Sequence, residues 1–197
     1  MRLIKLHLAL AGAAALFAVS TSTAFAGRLS LSSQTFRSTF SRLDFAGGLG
    51  TVECDVTLEG SLHERTIAKV EGNLIGYITS AIVANRCRRG SATILRESLP
   101  WHIRYLGFFG TLPNISSFES TIVRVEYQIK EPVFLITCLA AFGRLVSLFS
   151  RAAGGALTSM TFNGRLSTDC GAEGTFSGRS SSFTVLNSLT MITVTLI

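Results

Sequence analysis

Beyond its first 26 residues, this 197-residue chain has few side chains with catalytic or ligating chemistry: two histidines, four cysteines and one tryptophan. His63 and His102 are the histidines, and either could serve as a general base if a nucleophile or carboxylate stood within hydrogen-bond reach. The sequence has no G-x-S-x-G elbow to present a serine and no H-E-x-x-H pair to hold zinc. His63-Glu64-Arg65 follows Gly60-Ser61 and reads as a solvated polar turn. His102 lies in Leu99-Pro-Trp-His-Ile-Arg-Tyr105, where strand alternation sets Trp101, Ile103 and Tyr105 on one face and His102 with Arg104 on the other. That arrangement would suit an aromatic platform for a sugar ring or a His/Arg anion site. The simpler expectation is that Trp101 and Tyr105 pack in a β core while His102 and Arg104 meet water, because aromatic side chains dominate such cores.

The cysteines Cys54, Cys87, Cys138 and Cys170 include no C-x-x-C pair, which argues against a redox site or a zinc ribbon. An even number in an exported chain suggests two disulfides with three connectivities, of which neighbour pairing, Cys54 with Cys87 and Cys138 with Cys170, is the expectation. Glu53, Asp55 and Glu59 share the polar face of one strand without a calcium-loop motif, and are expected to pair with arginines on an adjacent strand. Arg86-Cys87-Arg88-Arg89-Gly90 is the densest charge cluster, and Arg86, Arg88 and Arg89 are the candidate anion-binding residues. A solvated loop that protects a sheet edge is the plainer account of them. Asn114-Ile115-Ser116 matches a glycosylation acceptor. No catalytic residue, metal site or cofactor motif is assigned.

The elements that would position these residues are strands. In Thr51 to Glu59, Val52, Cys54, Val56 and Leu58 alternate with polar neighbours; in Thr121 to Lys130, Val123, Val125, Tyr127 and Ile129 do the same. One wet and one dry face belong to an antiparallel sheet. Further strands are expected over Asn73 to Asn85, Ser91 to Glu97, Trp101 to Phe109, Val133 to Leu139, Ser182 to Val185 and Thr190 to Ile197. Asn163-Gly164 signals a two-residue hairpin, and Gly47-Gly48-Leu49-Gly50, Lys130-Glu131-Pro132 and Leu112-Pro113-Asn114 read as breaks. Phe142 to Arg151 fits a short helix about as well as an irregular strand. The fold class is therefore all-β: a single antiparallel sandwich or barrel domain over residues 27–197, with two disulfides and at most one short helix.

Residues 1–26 read as a cleaved secretion signal, with Arg2 and Lys5, an apolar run Leu8 to Val19 and Ala24-Phe25-Ala26 before Gly27. That run is too short to span a bilayer. The remaining chain carries sixteen basic groups against 12 acidic ones, a net of +4, and fourteen of the sixteen are Arg. Such a modest, dispersed charge disfavours nucleic acid and leaves an anionic cell-surface polymer or glycan as the partner class. Arginine excess also follows from GC-rich coding. An outer-membrane barrel is disfavoured by the small supply of Tyr and Trp and by the Ile197 terminus.

The Cys-flanked strands, Leu99-Pro100-Trp101-His102, and the ending Cys170…Gly174-Thr-Phe-Ser-Gly178…Ile192-Thr-Val-Thr-Leu-Ile197 resemble small secreted proteins predicted from high-GC bacterial genomes, to which no activity is assigned. The resemblance implies export and a compact β fold and transfers no active site. The expectation is a secreted, extracellular or cell-envelope β-domain without catalysis, acting in binding or structure. The alternative is a secreted hydrolase or lyase using His102 or His63 with acidic partners.

Overall fold

In the computed structural model, the described residues are 28–197 apart from 48–49, 86, 112–113, 131–136, 152 and 172. The expected secretion signal lies outside them, as do Arg86 and the first four residues of the strand expected over Val133 to Leu139. Among the described residues the strands are β1 (Arg28–Leu31), β2 (Thr35–Gly47), β3 (Gly50–Leu62), β4 (Thr66–Ala68), β5 (Leu74–Val83), β6 (Ser91–Ile94), β7 (Trp101–Thr111), β8 (Asn114–Val123), β9 (Tyr127–Lys130), β10 (Thr137–Arg151), β11 (Leu157–Thr168), β12 (Gly174–Arg179), β13 (Ser182–Val185) and β14 (Val194–Leu196). No helix among them is long and apolar enough to cross a membrane.

Strict alternation in β3 buries Val52, Cys54, Val56 and Leu58 and turns the intervening side chains outward. The same logic operates around a closed ring. β2, β3, β5, β7, β8, β10, β11 and β12 pair in that order, each antiparallel to the next, and β12 returns to β2. The choice between sandwich and barrel thus falls to a barrel-like closed sheet, which leaves no open edge. β13 continues the β12 side of the ring along Phe36–Thr39 of β2. At one end β9 replaces β8 beside β10, and β6 pairs with β9. A smaller sheet, β14-β1-β4, ties the C-terminal strand to the first described residues.

The ring is filled rather than hollow. Phe176 meets Phe45, Tyr127, Phe162 and Trp101 at centroid distances of 5.1, 5.6, 5.4 and 6.3 Å. A second cluster joins Phe118, Phe149, Phe183 and Phe36. Trp101 is fully buried and its indole N–H donates to Ser98 Oγ at 2.9 Å. The sugar-platform reading of Trp101 and Tyr105 therefore fails, because both rings point into the barrel. A bulge between Phe40 and Leu43 lets Phe36 and Phe40 and then Leu43 and Phe45 all face inward. Outward positions of β2 and β3, such as Arg37, Thr39, Thr57 and Glu59, are polar.

Cys54–Cys87 and Cys138–Cys170 form the two disulfides, as neighbour pairing predicts. Three local expectations are corrected. Asn163-Gly164 lies inside β11, where Asn163 pairs with Val146 and Ser177 and Gly164 with Leu145 and Phe176. Ladders on both sides outweigh the local turn preference. Phe142 to Arg151 is strand, not helix, since β8 and β11 flank it. Ser147 interrupts its apolar alternation yet faces inward, sharing a 2.7 Å hydrogen bond with Ser120. The run Thr121 to Lys130 divides into β8 and β9 at Arg124, whose φ of 73° turns the chain.

Candidate functional site

Because aromatic side chains occupy the interior, charged and titratable groups are displayed on the outer wall. Two regions of that wall differ in how their charges are arranged. On β2 and β3, acids and arginines meet across the strands. Arg37 binds Glu59 at 2.6 Å, and the two residues are direct register partners. Arg42 binds Glu53 at 2.8 Å, and Arg88 approaches the second carboxylate oxygen of Glu53 at 3.7 Å. The pairing with arginines expected of Glu53, Asp55 and Glu59 is thus present for Glu53 and Glu59, while Asp55 forms no ion pair among the described residues.

Glu53 is also more enclosed than an outward strand position implies, with 9% exposure. Residues 87–90 cause this. The backbone of Arg88 exchanges two hydrogen bonds with Glu53, and the adjoining Cys54–Cys87 bridge fixes the segment over β3. Among the three candidate anion-binding residues, Arg88 is therefore partly neutralised by Glu53. Arg89 stands exposed in a tight turn with φ of 63°, and Arg86 lies outside the described residues.

The second region spans the end of β3, β5 and β7. Ser61 pairs with Tyr77 and Tyr77 with His102, so Tyr77 and His102 are side-by-side neighbours on the outer wall. His63, just past β3, lays its ring 4.9 Å from that of Tyr77, and His102 meets the opposite side at 5.2 Å. The two histidines thus share a single aromatic strip, His63–Tyr77–His102. Arg104 lies on the same face of β7, two residues on from His102, with its guanidinium donating to the Gly72 carbonyl at 3.0 Å. Arg124 follows Val123, the register partner of His102.

Glycines make this juxtaposition possible. β3 and β5 shift register between Glu59 and Gly60. There a Cβ on Gly60 would collide with the Tyr77 carbonyl and the Phe36 ring, and one on Gly76 with the Ser61 carbonyl. Only glycine permits the backbones to approach so closely.

The electrostatics of the strip are one-sided. Partial burial, then the positive charges of Arg124, Arg104 and His63, hold the His102 pKa below its ordinary 6.5. Among the described residues, none of His63, His102, Arg104 and Arg124 forms an ion pair with a carboxylate. A cleft of about 290 Å³ adjoins the strip, lined by His63, Glu64, Arg28, Thr66 and Asn73 among others.

Cys138, Asp169 and Cys170 lie close enough together to ligate an ion, but both sulfurs are consumed in a disulfide. Asp169 Oδ1 accepts the Leu139 N–H at 2.8 Å. No protein family, curated protein or solved structure matches the chain. Sequence reasoning identified both histidines and Arg104 but missed Tyr77 and Arg124, which join the strip only through the β3–β5–β7–β8 register.

Proposed function

We propose that this protein is an exported, non-catalytic β-barrel that binds an anionic polymer of the cell surface or extracellular matrix through its outer wall. The aromatic-filled interior carries this reading. Phe36, Phe45, Trp101, Tyr127, Phe162 and Phe176 are buried in the barrel interior, which favours recognition by external side chains. Arginines outnumber lysines on that exterior, and their planar forks match carboxylate and phosphate groups. Both disulfides suit an oxidising compartment.

A hydrolase based on His63 or His102 needs a carboxylate or nucleophile hydrogen-bonded to the imidazole. No such bond occurs among the described residues, and cations surround His102 instead. Affinity electrophoresis through gels containing anionic or neutral polysaccharide tests the proposal. Retardation by the anionic polymers alone, with no shortening of the polymer, is expected. Turnover of a glycan, ester or peptide that disappears in His102→Ala would overturn it in favour of catalysis.

A further inference from the structure

Extending the outer-wall reading, we propose that His63, Tyr77, His102, Arg104 and Arg124 form one binding site for an anionic sugar or polyol polymer bearing carboxylate or phosphate groups, which binds more tightly in acid.

Three features of the wall converge here. First, the rings of His63, Tyr77 and His102 stand in a row, with centroid spacings of 4.9 and 5.2 Å and interplanar angles of 47° and 71°. Such a strip offers apolar faces to the C–H surfaces of successive sugar rings, and its polar edges offer hydrogen bonds. Second, Arg104 and Arg124 place permanent positive charge beside it without carboxylate partners among the described residues. Elsewhere, Arg37, Arg42, Arg88 and Arg165 are ion-paired, while Arg65, Arg89, Arg96 and Arg179 lack a carboxylate partner among the described residues, and of these Arg89, Arg96 and Arg179 do not adjoin an aromatic strip of this kind. Charge complementarity therefore selects an anionic occupant. Third, the cleft of about 290 Å³ begins at His63 and contains Arg28, giving a chain that crosses the strip a recess at one end.

Charged groups of both signs lie on the neighbouring elements. The turn between β3 and β4 supplies His63, Glu64 and Arg65; the turn before β5 supplies Glu71; β5 supplies Tyr77; and β7 supplies Arg104. β8 contributes Glu119, in register with Gly107 and further along the barrel, and the β8–β9 corner contributes Arg124 and Glu126. None of these acids is ion-paired to a strip residue among the described residues. In the unliganded protein, partial burial and then the nearby cations discourage protonation of His102. A bound carboxylate or phosphate reverses that environment, so ligand binding and His102 protonation reinforce each other.

Binding of the purified protein to polygalacturonate, poly(glycerol phosphate) and neutral dextran at about pH 5 and about pH 7.5 provides the test. Both polyanions keep their charge across this window, so pH dependence reports the protein. Expected are binding to at least one polyanion, none to dextran, and affinity about tenfold higher at the lower pH, equivalent to a one-unit pKa rise in the complex. His102→Asn should remove most of that pH dependence. Combining Arg104→Gln with Arg124→Asn should weaken binding about five- to tenfold at both pH values. Arg165→Gln, which breaks a pair to Glu173 just before β12, should change nothing. Binding to polygalacturonate alone assigns the site to uronate chains, and binding to poly(glycerol phosphate) alone assigns it to phosphate chains.

Circular dichroism verifies that each variant is folded. If the strip variants bind normally and Arg88→Gln with Arg89→Gln does not, this site is overturned while the anionic-polymer reading stands. If the wild type binds neither polyanion, both fall.

Discussion

The β2–β3 wall and the β5–β7 wall belong to the same barrel, yet they use their charges in opposite ways. On β2–β3, Glu53 is enclosed by Arg42 and Arg88, and Glu59 by Arg37, so positive charge is satisfied within the protein. On β5–β7, His102 faces Arg124, Arg104 and His63, and positive charge remains available to a partner. Exposure alone does not separate the two, because Arg42 and Arg88 are 61% and 76% exposed even while paired. Internal partners do. A paired wall gains local order, whereas an unpaired wall accepts some mutual repulsion that an anion would relieve.

If the β2–β3 wall is chiefly structural, damage there should appear as lost stability. Cys87→Ser removes the bridge that holds residues 87–90 over Glu53. It should cost about 2–5 kcal/mol in denaturant unfolding, the usual range for a disulfide in a small exported domain. Retained stability would mean that the hydrogen bonds between Glu53 and Arg88 suffice to hold the segment.

Gly76→Ala sits between the two walls. Its new methyl would strike the Ser61 carbonyl and the Leu62 backbone, forcing β3 and β5 apart beside the bulge in the β5–β7 ladder. About 1–3 kcal/mol of destabilisation is expected from overpacking, measured by urea unfolding. Because Tyr77 is the next residue, the change should also disturb the strip and weaken polyanion binding. A normal unfolding midpoint with normal binding would show that the bulge has slack.

Glu53→Ala leaves Arg42 and Arg88 facing each other without their shared carboxylate. Solvent screens both guanidinium groups, so the expected loss is about 1 kcal/mol. If the walls are functionally distinct, this variant binds polyanions at least as well as the wild type. Loss of binding in a fully folded Glu53→Ala protein would erase the distinction.

Much of this contrast was legible before the fold was known. The alternation of β3 fixed which residues would be wet, and placed Glu53 and Glu59 where arginines on a neighbouring strand could reach them. Cysteine spacing favoured the correct pairing among three. What was not legible depended on long-range register. Asn163-Gly164 carries a strong local turn signal, but two neighbouring strands hold it extended. Tyr77 lies 14 residues from His63 and 25 from His102 in sequence, and only the bulges in the β3–β5 and β5–β7 ladders bring the three rings together. The enclosure of Glu53 escaped for the same reason, since it depends on where residues 87–90 fold back.

The smallest effect distinguishes the walls by its sign. In the unliganded protein the His102 pKa is lowered, so its contribution to stability is complete above 6.5 and declines as pH falls through that value toward the folded-state pKa. Replacing His102 with Asn should therefore make the melting temperature fall less steeply between about pH 7.5 and about pH 5. The difference will be small, because the imidazole is only lightly buried and solvent screens its cationic neighbours. Saturating polygalacturonate should reverse this contribution. A carboxylate beside His102 favours the imidazolium, so ligand-induced stabilisation should grow as pH falls in the wild type and stay nearly flat in His102→Asn. Glu59→Gln, on the paired wall, should alter neither slope. The same slope with and without ligand would mean that the anion never reaches His102, and the unpaired wall would then be only a tolerated excess of charge.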